Sequence, residues 1–154
     1  MKDKRGAWVL VLTLFLTACT KGILVHSYQP TGEEGWARND TFCFQLPASP
    51  QTGDYPVWLG LRYGNDFPYE GIWIEAKAKF IEPAAMRCDT LYFKLTGPDG
   101  HSLGQGISLQ QHEMLLGTYH LTKGQQGTIY LRHIMAREIV PAISNVGLKV
   151  ETPQ

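Results

Sequence analysis

The sequence is poor in charge, poorer in cysteine, and without an excess of either sign. Of its 154 residues 18% are charged, 14 basic against 14 acidic. That balance excludes a protein held to nucleic acid by electrostatics, because such proteins concentrate Lys and Arg to displace phosphate counterions. Three cysteines supply no Cys pair to complete a zinc site. The residues His26, His101, His112, His120 and His133 lack the His-Glu-x-x-His spacing. His120 and His133 are expected to approach each other across strands, but a metal would need further ligands. Asp99 lacks the alternating acidic partners of a calcium loop and is expected in a turn. No Gly-x-Ser-x-Gly elbow, phosphate-cradling glycine loop or Ser-His-Asp spacing is present, and Gly104-Gln105-Gly106 precedes no helix. These absences predict a protein that is not an enzyme and holds no metal or cofactor.

What is present begins at the N-terminus. Lys2, Lys4 and Arg5 precede an 11-residue apolar run from Ala7 to Thr17. This is a secretory signal, too short to cross a bilayer as a helix, and no later segment is apolar enough to do so. It ends in Leu16-Thr17-Ala18-Cys19, which resembles the lipobox of bacterial lipoproteins, where the Cys is diacylated on sulfur and becomes the new N-terminus. The alternative is an ordinary signal peptide that happens to carry a Cys there. Removal of 1–18 leaves 136 residues with 11 basic and 13 acidic side chains, a net charge of −2. Thr20 stands where Asp would argue for inner-membrane retention, and Lys21-Gly22-Ile23 lacks an acidic cluster for surface export. The expected location is the cell envelope, lipid-anchored at the outer membrane and facing the periplasm. The expected organisation is a signal peptide over 1–18, a lipidated anchor and short spacer over 19–24, and a single β-sandwich domain over 25–154.

Beyond Ser27, period-2 alternation recurs between Gly, Pro, Asn and Asp clusters. Phe42, Phe44 and Leu46 alternate with polar neighbours, as do Val57, Leu59, Leu61 and Tyr63. So do Ile72, Ile74, Ala76, Ala78 and Phe80, then Leu91, Phe93 and Leu95, then Val146, Leu148 and Val150. Less regular strands are expected over 23–29, 117–121 and 128–133. The class is all-β, an antiparallel β-sandwich of about eight strands, immunoglobulin-like or jelly-roll-like, with a barrel as the related alternative. Gly97-Pro98-Asp99-Gly100 signals a turn, Pro56 is expected at the start of a strand, and 135–140 is expected to form one helical turn ended by Pro141.

Cys43 and Cys88 share their faces with polar residues and point away from the core. A disulfide between them requires neighbouring strands with the two Cys opposite each other; otherwise they remain free thiols. If 57–63 and 72–80 form a hairpin with Tyr63 opposite Ile72, Arg62 faces Trp73 and Lys77 faces Trp58. Those indoles, with Trp36, form an aromatic platform for a glycan in one reading and a sheet face covered by its own cations in the other.

Several segments together resemble the gliding motility lipoprotein GldH family of Bacteroidetes-type bacteria. They are the lipobox, Tyr28 with Gly35-Trp36 and Asp40, Asn65-Asp66-Phe67-Pro68-Tyr69, Leu95-Thr96-Gly97-Pro98-Asp99-Gly100 followed by Leu103-Gly104-Gln105-Gly106, Ile134-Met135-Ala136-Arg137-Glu138, and Val146-Gly147-Leu148-Lys149-Val150-Glu151. Two departures fall near the C-terminus: Ala136 is inserted between Met135 and Arg137, and Ala142 stands where Gly is usual. The resemblance implies a non-enzymatic envelope lipoprotein of gliding motility or the associated type IX secretion apparatus, bound to the membrane through its lipid and to envelope protein partners. Candidate partner-binding residues are Asn65, Asp66 and Tyr69 in one loop and Asp99, Gly100 and Gly104 in another. Turns require Asn, Asp and Gly at such places in any case.

Overall fold

The computed structural model describes residues 22–154 and is all-β. The expected signal peptide and Cys19 lie outside the described residues. The strands are β1 (Ile23–Pro30), β2 (Trp36–Ala37), β3 (Phe42–Leu46), β4 (Gly53–Gly64), β5 (Gly71–Ile81), β6 (Ala85–Lys94), β7 (Leu109–Leu121), β8 (Gln126–His133), β9 (Ile139–Val140) and β10 (Ile143–Glu151). One four-stranded antiparallel sheet has the order β1-β10-β4-β7, the other β3-β8-β5-β6. Their apolar faces pack together as a sandwich, and the short ribbon of β2 and β9 lies beside them.

The alternation seen in the sequence is what builds this core. Val57, Leu59, Leu61 and Tyr63 of β4 are all buried, as are Ile72, Ile74, Ala76, Ala78 and Phe80 of β5 and Val146, Leu148 and Val150 of β10. Each fully buried Leu, Ile or Phe contributes about 1.5–3 kcal/mol relative to exposure.

Three expectations are corrected. First, β4 and β5 are not a hairpin: they lie in different sheets, and 65–70 arches from one to the other. Either arrangement keeps the same residues inside, so alternation does not choose between them. The hairpin partner of β5 is β6, with Ile72 opposite Phe93. Second, 135–140 is not a helical turn; Ile139 and Val140 pair with Ala37 and Trp36. Third, β7 starts at Leu109 rather than near Gly117, and its register against β4 slips between Val57 and Trp58. Pro56 is within β4, but pairing with β10 covers only the part from Val57 onward, so at Pro56 only β7 runs alongside.

The topology sorts the connections to two ends. Ile23 pairs with Glu151 and Gly53 with Leu121 at the end where Leu46, Gln126, Ile81 and Ala85 also lie. Connections 47–52, 82–84 and 122–125 are at this N-terminal end. The longer segments 31–41, 65–70, 95–108 and 134–142 gather at the distal end. The 12 residues of β4 separate the ends by about 40 Å at ~3.3 Å per residue.

Candidate interaction surfaces

The two loops singled out in the sequence meet at the distal end. Asn65 donates from Nδ2 to Ile107 O (2.9 Å), and its Oδ1 accepts from Gln110 Nε2 (2.8 Å). The same Gln110 Nε2 donates to Gly106 O at 3.0 Å. Asn65 therefore ties 65–70 to 95–108 and spends its amide on the protein itself. Tyr63 contributes more. Its ring is core, while its hydroxyl accepts the Gly104 N–H (3.0 Å), lies 2.7 Å from Ser102 Oγ and donates to Leu95 O (3.2 Å). A Cβ on Gly104 would stand 2.8 Å from that hydroxyl and 2.9 Å from Gln110 Cβ, so this close approach requires glycine.

Asp99 and Gly100 are occupied by their own turn. Asp99 Oδ1 accepts the His101 N–H (3.1 Å), and Oδ2 lies 3.2 Å from His101 Nδ1. The backbone hydrogen bond from His101 is the leading cause that holds the Asp99 carboxyl below the usual aspartate range. Gly100 donates to Gly97 O at 3.0 Å. In the other loop Tyr69 is half-buried, edge-on to Phe67 (5.7 Å), which is edge-on to Tyr63 (5.9 Å). Asp66 is exposed, its carboxylate beside Gly64.

This polar scaffold presents apolar side chains. Ile107 is 93% exposed, Leu109 48% and Leu103 42%. Beside Leu109 a cleft of about 380 Å³ runs past Thr31, Gly32, Glu33, Ala142 and Ser144. Exposed apolar groups rimmed by polar ones are what an interaction site offers. In the sequence, turn-forming residues stand out in this region more than Ile107 and Leu109 do. The available signal was a large aliphatic, Ile107, inside a Gly- and Ser-rich connection, with a second, Leu109, at the first position of the strand that follows.

Trp36 is wholly buried at this end. Its Nε1 donates to Asp40 O (3.0 Å), and its ring meets Phe42 and His133 edge-on at 5.5 Å each. It is therefore not part of any glycan platform. His133 is also buried, which depresses its pKa below 6.5. His120 lies near the N-terminal end, its Nδ1 2.7 Å from Asp54 Oδ1, so it does not approach His133. Among the described residues no cluster of His, Cys, Asp or Glu is arranged to hold a metal.

The outer faces correct the expected cation pairings. Trp58 is covered by a cation, but it is Lys149 of the adjacent β10, 5.0 Å from the ring, and not Lys77. Arg62 stacks on Tyr28 at 4.3 Å, and Trp73 packs against Tyr92 at 5.0 Å, 46% exposed. Glu113 is the hub of this face, contacting Lys149, His26 (3.4 Å) and the Tyr28 hydroxyl (3.3 Å). Burial opposes the Glu113 carboxylate, yet Lys149, His26 and Tyr28 together hold its pKa below the usual glutamate value. Burial first, then the Glu113 charge, pushes Tyr28 up to about 12.

Cys43 and Cys88 are both exposed free thiols. They sit in one register row, Cys43–Tyr130–Lys77–Cys88, on the two edge strands of the second sheet. Three strand spacings separate them by about 14 Å, beyond the ~7 Å that a disulfide spans between Cα atoms. The neighbouring-strand condition is not met.

The GldH lipoprotein family profile matches residues 23–150. The gliding motility lipoprotein GldH of Flavobacterium johnsoniae is 26% identical over 112 residues, covering 70% of this chain and 67% of that protein. The gliding motility lipoprotein GldH homolog of Christiangramia forsetii is 25% identical over 108 residues, covering 70% of this chain and 65% of that protein. The chain thus spans about two thirds of the length of these relatives. Among solved structures, a family 35 carbohydrate binding module from Clostridium thermocellum aligns at 15% identity with a TM-score of 0.41, over 84% of this chain and 90% of that module. A likeness that loose carries no argument about ligands.

Proposed function

Because the chain belongs to the GldH lipoprotein family, we propose that it is a lipid-anchored envelope protein that acts as a binding component, not an enzyme, in gliding motility or the associated type IX secretion apparatus. Residues 1–18 are removed as a signal, acyl chains on Cys19 hold the protein at the periplasmic leaflet of the outer membrane, and the few residues after it lead into the domain, whose first strand begins at Ile23. Each buried methylene contributes about 0.8 kcal/mol, so several chains together retain the protein without a membrane-spanning helix.

The observation that carries the binding role is the separation of the two ends. The strand that follows the anchor, β1, starts at one end, and the exposed Ile107 and Leu109 stand at the other. An anchored sandwich with this topology holds its apolar loop away from its own membrane, where an envelope protein can reach it. Asn65, Tyr63 and Gly104 shape that loop, with Asp66 and Tyr69 at its border.

The test is recovery of the lipidated chain from host membranes with identification of the proteins that accompany it. Ile107→Asp combined with Leu109→Asp is expected to lose the partner while Trp73→Ala keeps it. Loss with Trp73→Ala and retention with the loop variant would favour the glycan-type aromatic surface instead. That surface now rests on Trp73 with Tyr92, since Trp36 is buried and Trp58 lies under Lys149.

A further inference from the structure

The N-terminal end carries a second apolar feature that tethering alone leaves without a role. The β5–β6 hairpin ends in Ile81-Glu82-Pro83-Ala84-Ala85-Met86, and every one of these residues is exposed. Ile81 is 54% and Met86 68% exposed. Together with Phe80, Ala84, Ala85 and the stem of Lys79 they line an open, mainly apolar depression at the tip. The turn is held from behind: buried Gln125 donates from Nε2 to Pro83 O (2.8 Å), and its Oε1 accepts the Thr122 N–H (3.1 Å). The tip is thus a supported protrusion with its aliphatic side chains turned to solvent. Lys79 flanks it, its Nζ 5.5 Å from the centre of the Tyr130 ring, and the exposed Lys123 lies in the neighbouring turn. Glu82 is the acid within the turn.

The occupant follows from where the chain leads. Cys19 is four residues before Ile23, and four extended residues reach at most about 14 Å. Lipids on Cys19 therefore hold the whole N-terminal end close to the bilayer surface. β1 is at one edge of its sheet and β6 at the opposite edge of the other, facing β7. The start of β1 and the hairpin tip consequently lie at opposite corners of that end, about 17 Å apart from three strand spacings and one sheet spacing. A single short tether leaves a domain free to pivot; an apolar corner with cations beside it, facing lipid phosphates, removes that freedom.

We propose that the hairpin tip, Ile81 to Met86, is a second membrane contact, seated in the headgroup layer of the leaflet that holds the Cys19 acyl chains. The inference rests on the lipidation of Cys19. The two contacts together fix the long axis of the sandwich so that the distal loops point away from the membrane.

The test uses the full lipidated chain, purified from membranes and reconstituted into phosphatidylethanolamine/phosphatidylglycerol vesicles whose acyl chains carry bromine. Met86→Trp adds an indole at the tip, and Ile107→Trp adds one at the distal loop as the comparison. Both positions are exposed, so neither substitution disturbs packing. Relative to the parent chain, the added emission at position 86 is expected to be blue-shifted and lost to bromine quenching, and that at 107 unaffected. In a second arm, Ile81→Glu with Met86→Glu is expected to stay on the vesicles while the tip loses its protection from protease. Emission at 86 that stays unquenched on a chain that floats with the vesicles overturns the hairpin contact and leaves the anchor standing. A chain that fails to float overturns the anchor and the contact with it.

Discussion

Ala142 adopts φ +62°, a left-handed conformation that costs an L-residue with a Cβ about 1–2 kcal/mol. Its carbonyl accepts the Gly64 N–H (2.8 Å), which fixes the conformation where the distal segments meet. This is the place where the family resemblance implied Gly. Ala142→Gly is expected to stabilise the fold by about 0.5–1 kcal/mol after the extra freedom of glycine in the unfolded chain is deducted, read as a higher urea midpoint at unchanged slope. Tyr63→Phe removes three hydroxyl interactions and leaves Gly104 N–H without that partner, so a loss of about 1–3 kcal/mol is expected, with faster amide exchange confined to 102–106. A titration adds a third test. Burial depresses the pKa of His133 and of His112 below 6.5. The unfolded chain then binds more protons than the folded one below pH 6.5. This contribution to stability is complete above pH 6.5 and is lost as pH falls through the folded values. The carboxylates of Glu75 and Glu113, held below 4.5, lose theirs only at lower pH. Urea midpoints measured from pH 7.5 down to about 5 are expected to fall, and His133→Leu to flatten that fall. Single residues were the least legible level in the sequence. Asn65, Asp99 and Gly104 carry turn chemistry that is visible in one dimension, but whether a side chain is spent on its own fold or offered to a partner depends on neighbours far along the chain.

At the level of elements, strand identity was legible wherever alternation was clean, as in β4, β5 and β10. Pairing was not. A period-2 pattern says which residues face inward and is silent about whether the next strand lies beside it or across the core, which is why β4 and β5 were expected as a hairpin. β7 was hard to read for another reason. Its register slips at Leu116, which lies between the partners of Val57 and Trp58, and the slip reverses the phase of alternation; Gln110 and His112 then occupy inward positions opposite Tyr63 and Leu61. The outer face of the first sheet has its own logic. Tyr28 lies over Gly60 and Gly147, where a Cβ would come within 2.2 Å of its hydroxyl oxygen and 2.5 Å of its ring, respectively. The Arg62 guanidinium stacks on that ring, 4.3 Å from its centre. Gly60→Ala or Gly147→Ala must push Tyr28 off the sheet and away from Glu113, with an expected cost of about 1–3 kcal/mol measured by thermal or urea unfolding. Tyr28→Ala would then add little to either variant, because the displaced interaction is the same one.

For the whole molecule the consequential feature is polarity along the strands. Short connections, Ile23 and the β5–β6 tip share one end; long loops and Ile107 share the other. The sequence made the all-β class legible, because clean alternation between turn residues is a local signal. It did not make the end-to-end arrangement legible, since that follows from which strands pair. The most direct measurement of the central claim is photo-crosslinking in the living host, with a benzophenone amino acid placed in turn at Ile107 and Met86 of the lipidated chain. Envelope-protein adducts are expected from position 107 and lipid adducts from position 86. Protein adducts confined to position 86, with lipid adducts from 107, would contradict that claim.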